Sequence, residues 1–242
     1  MQPKTLAQFE ALIFDVYGTL IDWEQGIYAA LQTILIRANK SWSQDEALLA
    51  FHSVEKDLEA QNPGMLYNEL LATIHKTLAT RLGTSSTPDE DATFGLSISK
   101  WPAFLDTVAA LAILKKYYKL VVLSNVDNKS FNTFTRPVLE AGGGTFDIVL
   151  TAEDIGSYKP DTANFKAVLK AIEDQFGIPK EKVLVTANSL YHDHGPANLL
   201  GISSSWIERD AHPKIGDLSL TTYDFHFKTL GEMAGEREKL SK

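Results

Sequence analysis

The sequence contains no cysteine, which excludes a disulfide framework, thiolate metal ligands and a thiol nucleophile. It has no apolar run long enough to cross a bilayer, so a membrane-spanning role is not expected. Positive charge is scarce: 23 Lys and Arg against 31 Asp and Glu give a formal net charge of -8. That balance argues against nucleic acid or an anionic membrane as the main partner. It also means that an anionic substrate would need a local cluster of positive charge. The opening residues MQPKTLAQFE lack the apolar stretch of a secretory signal, and a cytoplasmic location is expected. The Asn-x-Ser triplets at Asn39 and Asn128 would matter only in the secretory pathway and are read as chance. No internal repeat or low-complexity tract is visible.

What is present is an ordinary globular composition, 44% hydrophobic and 22% charged over 242 residues. That suffices for one large domain, or for a core with an insertion. Its organising stretch is ALIFDVYGTLIDW, residues 11 to 23. The apolar run Ala11 to Phe14 reads as a strand buried on both faces, as in a parallel sheet. Asp15 follows directly, at the strand's carboxyl end, where open α/β sheets bind ligands. Asp15 is therefore a candidate nucleophile.

Residues 1–9 read as a short, loosely held lead-in. From about Gly26 to residue 100 the pattern is nearly all helical. Ser43 and Glu46 form an S-x-x-E capping box, and Pro63 is expected to open a helix. Leu66, Leu70, Ile74 and Leu78 recur every four residues, and Gly83 sits where a helix-ending glycine belongs. From Trp101 the pattern changes. KLVVLSN, FDIVLT, KVLVTAN and GISSSWIER read as four more strands separated by helices, and 228–240 reads as a final surface helix. Alternation of this kind implies a parallel sheet with right-handed crossovers. The expected fold is α/β, a Rossmann-like parallel sheet of five or more strands. Residues 1–23 and 101–242 would make the core domain, and 24–100 an all-helical cap domain inserted after the first strand, a lid by position.

The expected strand-end loops present Asp15, then Ser124 and Asn125, then Lys159, then Asn188 and Asp193. With FDVYGTL, SNVD, AEDIGSYKPD and SLYHDHGPA, that order resembles the haloacid dehalogenase superfamily, and its L-2-haloacid dehalogenase branch in particular. The resemblance implies a hydrolase with a covalent aspartyl ester on Asp15, which water then hydrolyses. Most members read D-x-D-G-T, but Tyr17 stands here at the second Asp. Phosphate-ester cleavage expels an alkoxide and benefits from that acid, whereas a halide leaves without a proton. Asp193 is the expected base for ester hydrolysis, and Lys159 the charge partner of Asp15 and of a substrate carboxylate.

Ser124 and Asn125 are expected to donate to the substrate carboxylate or leaving group, with Asn188 and Ser189 in the same substrate-binding set. Thr19 is expected to orient Asp15, and Gly18 to allow the tight turn. Tyr17 and Trp23 would wall the pocket. His192 and His194 flank Asp193 as accessory candidates. The phosphatase branch holds Mg²⁺ through a G-D-x-x-x-x-D motif, and Ala187-Asn188 replaces its first pair. No cofactor is expected. If weak Mg²⁺ use did occur, Asp15, Tyr17 and Asp193 would be the ligands.

The cap arginine that grips the halide in that branch has no recognisable counterpart; Arg37 is only a nominal candidate. The expected partner is a small anionic substrate, on the family pattern a 2-halocarboxylic acid. The alternatives are a Mg²⁺-dependent phosphatase acting on a small phosphate ester, and a degenerate metabolite-binding member without turnover. Homodimerisation through the helical insertion is expected by analogy alone.

Overall fold

A computed structural model describes residues 4–62, 64–209 and 221–241. Pro63, expected to open a helix, lies outside the described residues. Six strands form one parallel sheet: β1 (Ala11–Phe14), β2 (Lys119–Ser124), β3 (Ile148–Thr151), β4 (Val183–Ala187), β5 (Ser203–Ile207) and β6 (Phe225–Phe227). Their order is β3-β2-β1-β4-β5-β6. The chain thus winds outward from β1 in one direction and returns to start again at β4. The switch point lies between β1 and β4, where doubly wound sheets open a crevice beyond the strand ends. Phe14 stands opposite Val122 of β2 and Thr186 of β4, which delivers Asp15 into that crevice.

The continuous apolar strands are explained by burial on both faces. Ala11 and Ile13 point to one side, with Val121, Val185 and the helix residues Phe165, Val168 and Ile172. Leu12 and Phe14 point to the other, with Leu120, Val122, Leu111 and Met233. Every residue of β1 and β4 is buried. β6 is the strand that the sequence pattern did not announce. It has three residues and half-exposed side chains, too short for a period to register.

Between β1 and β2 the described residues are helical: α1 (Trp23–Arg37), α2 (Gln44–Gln61), α3 (Tyr67–Arg81) and α4 (Pro88–Gly95), then a 3₁₀ turn over Leu96–Lys100. The Ser43–Glu46 capping box forms in full. Helix α1 starts earlier than Gly26 because Asp22 caps it, accepting from the Gln25 amide. Helix α3 starts at Tyr67 and ends ahead of Gly83, whose φ is 72°. The chain leaves and re-enters the sheet side by side. Ile21 bridges Ala103, and the Asp22 amide donates to the Pro102 carbonyl at 2.8 Å.

After α5 (Thr107–Leu114) and β2, the short α6 (Asn128–Ser130) runs through a π turn into α7 (Arg136–Glu140). Then come α8 (Ala152–Ile155), α9 (Thr162–Phe176), α10 (Gly195–Leu200) and α11 (Leu230–Lys239). Gly177 ends α9 in the left-handed region at φ 66°. Within the expected lead-in, residues 4–9 are packed against the core and not loose. Leu6 and Phe9 are buried, and the Tyr118 hydroxyl donates to the Leu6 carbonyl at 2.8 Å. Among the described residues, no helix is long and apolar enough to cross a membrane.

Gly26 marks where α1 presses on the chain re-entering the core. A Cβ there would lie 2.0 Å from Cδ1 of Trp101. In an open helix Gly→Ala gains up to about 1 kcal/mol. Here overpacking against a buried indole reverses the sign, and Gly26→Ala should destabilise by about 1–3 kcal/mol in urea denaturation.

Candidate active site

Asp15, Thr19, Lys159 and Asp193 form one buried cluster at the switch point. Lys159, only 2% exposed, donates to Asp15 Oδ1 at 2.8 Å, Asp193 Oδ1 at 2.7 Å and the Leu123 carbonyl at 3.1 Å. An ammonium has three protons, and all three are used. Burial alone would lower the lysine's pKa, but the two carboxylates outweigh it and hold the ammonium above its ordinary value. The other oxygen of Asp15 accepts from the Thr19 hydroxyl at 2.7 Å. Thr19 in turn accepts from the Asn188 amide at 2.9 Å, tying the β1 loop to the β4 loop.

Asp193 is the strained member. Burial, with Asp15 nearby, pushes its carboxyl up to about 7 despite the attraction of Lys159. Its Oδ2 is buried without a hydrogen-bond partner, as is the Ser124 hydroxyl. Buried polar atoms without partners are rare in native proteins. Both residues line the same cavity of about 120 Å³, with Asp15 and Lys159.

Several expected site residues take other tasks. Asn125 uses both ends of its amide on the Lys159 backbone, accepting from its N–H at 2.7 Å and donating to its carbonyl at 3.1 Å. It clamps the lysine backbone, and it also lines the cavity. Tyr17 lines the cavity, but its hydroxyl pairs with Thr135 at 2.8 Å. Burial, joined by the Asp127 and Asp15 carboxylates, pushes that phenol well above its ordinary value. Its ring stacks on Tyr67 at 6.2 Å and meets Trp101 edge-on at 5.5 Å.

Asn188 lines the cavity, and its carbonyl accepts from the Trp206 indole at 3.0 Å. Ser189 lines it too and caps the following turn by accepting from the His192 amide at 3.1 Å. His192 is neutral at ordinary pH, since burial and then Lys159 lower it to about 4. His194 is fully buried, with its two nitrogens on the Ala187 carbonyl and the Ser204 hydroxyl. A carbonyl only accepts, so Nε2 carries the proton and Nδ1 accepts from Ser204; this histidine is structural. Arg37 is not brought to the site. Its guanidinium pairs with Glu90 and the Ser85 carbonyl on the surface.

A haloacid dehalogenase-like hydrolase model matches residues 9–188 of the sequence, well over half of the chain. The chain belongs to the haloacid dehalogenase-like hydrolases. Solved structures agree on the fold. The L-2-haloacid dehalogenase PA0810 is 21% identical with a TM-score of 0.74, over 97% of this chain and 100% of that one. The L-2-haloacid dehalogenase from Xanthobacter autotrophicus, solved with chloropropionic acid covalently bound, is 16% identical with a TM-score of 0.74, covering 95% and 98%. The putative HAD-hydrolase YfnB from Bacillus subtilis, bound to magnesium, is 19% identical with a TM-score of 0.71, covering 94% and 97%. A search of curated proteins found no match.

For this haloacid dehalogenase-like hydrolase, sequence reasoning missed two groups of residues. Arg209, 5% exposed, donates to the Thr19 carbonyl at 3.0 Å and pairs with Asp106 at 2.6 Å, bracing the loop that follows β1. On the cap side, His52, Glu55, Glu59 and Tyr67 line the cavity. The first three recur at i, i+3 and i+7 on α2, a polar stripe beside the apolar Phe51 and Val54. That spacing was the available signal.

Lys159 is the counter-charge of two carboxylates. Lys159→Met should cost about 3–5 kcal/mol near neutral pH, because it strands that pair. The folded variant then gains from holding a proton that the unfolded chain releases at ordinary carboxyl values. The deficit should therefore shrink as pH falls toward about 5 and grow toward about 8. Urea denaturation at both pH values measures it.

Proposed function

We propose that the protein hydrolyses a small substrate through a covalent ester on Asp15, and that the bond broken is carbon–halogen in a 2-halocarboxylic acid. The observation carrying this reading is the cluster itself: a carboxylate held by Lys159 and Thr19, facing a cavity with two unpartnered polar atoms. The helical segment 24–100 acts as the cap that closes the chamber.

In the first step, an oxygen of Asp15 attacks the halogen-bearing carbon from behind. The C–O bond forms as the carbon–halogen bond breaks, and the halide leaves with the bonding electron pair. The Thr19 and Lys159 hydrogen bonds align the carboxylate for this displacement. In this reading the Ser124 hydroxyl, which has no partner within the protein, donates to the substrate's carboxylate or the departing halide. In the second step, water adds to the Asp15 carbonyl carbon while its proton passes to the free Oδ2 of Asp193. Lys159 and Thr19 stabilise the oxyanion. Collapse expels the hydroxy acid's oxygen, which takes up that proton, and leaves Asp15 as a carboxylic acid that loses its remaining proton to solvent, restoring the carboxylate.

Tyr17 supports carbon–halogen over phosphate-ester cleavage. Its hydroxyl faces Thr135 and its proton is held tightly, so it is a poor stand-in for the acid that a phosphatase uses. A Mg²⁺ ion held by Asp15 and Asp193 would have to compete with an ammonium. Asp15 and Asp193 already share the Lys159 ammonium.

Asp15→Asn should lower halide release from 2-chloropropionate by about 10³-fold or more. In ¹⁸O water, a single wild-type turnover should leave the label in Asp15 and not in the product; label in the product would sink the ester. The hydrolytic step needs ionised Asp193, so its rate should rise with pH through about 7. Asp193→Asn should flatten that limb and let the ester accumulate, as intact-protein mass spectrometry would show.

A further inference from the structure

A second cavity lies in the helical segment, and its lining shares no residue with that of the chamber at the strand ends. Its volume is about 690 Å³, within the range of about 300–1,000 Å³ usual for small-molecule sites. It opens between α1 and α4 because the side of α1 that faces it is small. Gly26, Ala29, Ala30 and Thr33 line one wall at helical spacing, with Thr93 and Phe94 of α4 on the other. Gly26 has no room for a larger side chain, since the Trp101 indole already occupies the place of its Cβ.

From α3, His75 adds a polar group with one valence unused. It is only 3% exposed, yet it lines this cavity. Its Nδ1 meets Asp91 Oδ1 at 2.6 Å, and its ring stacks on Phe94 at 4.8 Å, so the imidazole is fixed on two sides. A carboxylate only accepts, so in the neutral ring Nδ1 carries the proton and Nε2 keeps a lone pair. That Nε2 has no hydrogen-bond partner among the described residues. Trp101 Nε1 and Ser97 Oγ on the same lining are unpartnered too, but both are sealed beneath the surface. Nε2 is not sealed, which leaves it as the acceptor presented to the cavity.

Charge gives this cavity no preference for an ion. Glu90 is paired with Arg37, and the other charged lining residues, Asp89 and Lys100, are of opposite sign. Phe94 and Trp101 supply aromatic surface, which favours a ring packed against them. We propose that the cleft binds a neutral aromatic molecule bearing a hydroxyl group. The hydroxyl donates to His75 Nε2, and the ring packs between Phe94, Trp101 and the small face of α1. This site is separate from the reaction chamber and stands whether or not the carbon–halogen reading of that chamber holds.

The test uses 2-naphthol and 2-methoxynaphthalene, neutral probes that share a ring system and differ in the hydroxyl proton. By calorimetry the wild type should bind 2-naphthol about tenfold more tightly, roughly what one hydrogen bond contributes. In protein labelled with ¹⁵N-histidine, the His75 Nε2 resonance should move with 2-naphthol and hold with 2-methoxynaphthalene. His75→Asn keeps a donor at the Nδ1 position and removes Nε2, so it should bring the affinity ratio close to one. Ala29→Phe, at an exposed position on α1, should keep its melting temperature and abolish binding of both probes by filling the cleft. Absence of 2-naphthol binding, equal affinity for the two probes, or affinities unchanged in Ala29→Phe overturns the site. Sedimentation tests the rival occupant. If the wild type self-associates and Ala29→Phe is monomeric, a second copy of the chain covers the cleft and the proposal falls.

Discussion

The Lys159 ammonium, held between Asp15 and Asp193 at 2.8 and 2.7 Å, organises the site. Two carboxylates cannot be buried side by side without a counter-charge, and a buried lysine cannot stay charged without carboxylates. Each of the three is tolerable only because the other two are there. The positions of β1, β2 and β3, and of the turn after β4, follow from the need to bring them together. Much of the surrounding hydrogen bonding serves that purpose. Asn125 clamps the lysine backbone, Thr19 links Asp15 to Asn188, and Arg209 braces Thr19.

That arrangement stores a bias useful for chemistry. Asp15 has both oxygens satisfied and is fixed in direction, as the proposed displacement requires. Asp193 is poorly solvated and keeps one oxygen without a partner, which suits the proposed proton acceptor. Two carboxyls of the same chemical type are thereby given two different environments. The Tyr17 substitution belongs to the same logic. An aromatic side chain tied to Thr135 adds wall area to the chamber and contributes no acid.

Residues of α1, α2 and α3 line the other side of the cavity. Apolar packing is continuous from the sheet into α1, α2 and α3, so the polar stripe of α2 is held at a defined place above the strand ends. Glu55 and Glu59 line the same cavity as Asp15 and Lys159.

By itself the sequence indicated the architecture and most of the polar cluster. Apolar runs such as KLVVLSN read as doubly buried strands, and Asp15 at the end of one reads as a ligand-crevice residue. Thr19, Lys159 and Asp193 were legible through the motifs that resemble the family. Three-residue β6, the packed lead-in at Leu6 and Phe9, and the start of α1 were not, because short or capped segments leave no period to read. Tertiary structure alone decided which polar groups meet. That Asn125 spends its amide on the Lys159 backbone, that His194 is locked between Ala187 and Ser204, that Arg37 pairs away on the surface, and that Glu55 and Glu59 line the same cavity as Asp15 all depend on contacts between residues distant in sequence. Local propensity carries no information about such contacts, since it takes the packing of one helix over one sheet edge to create them.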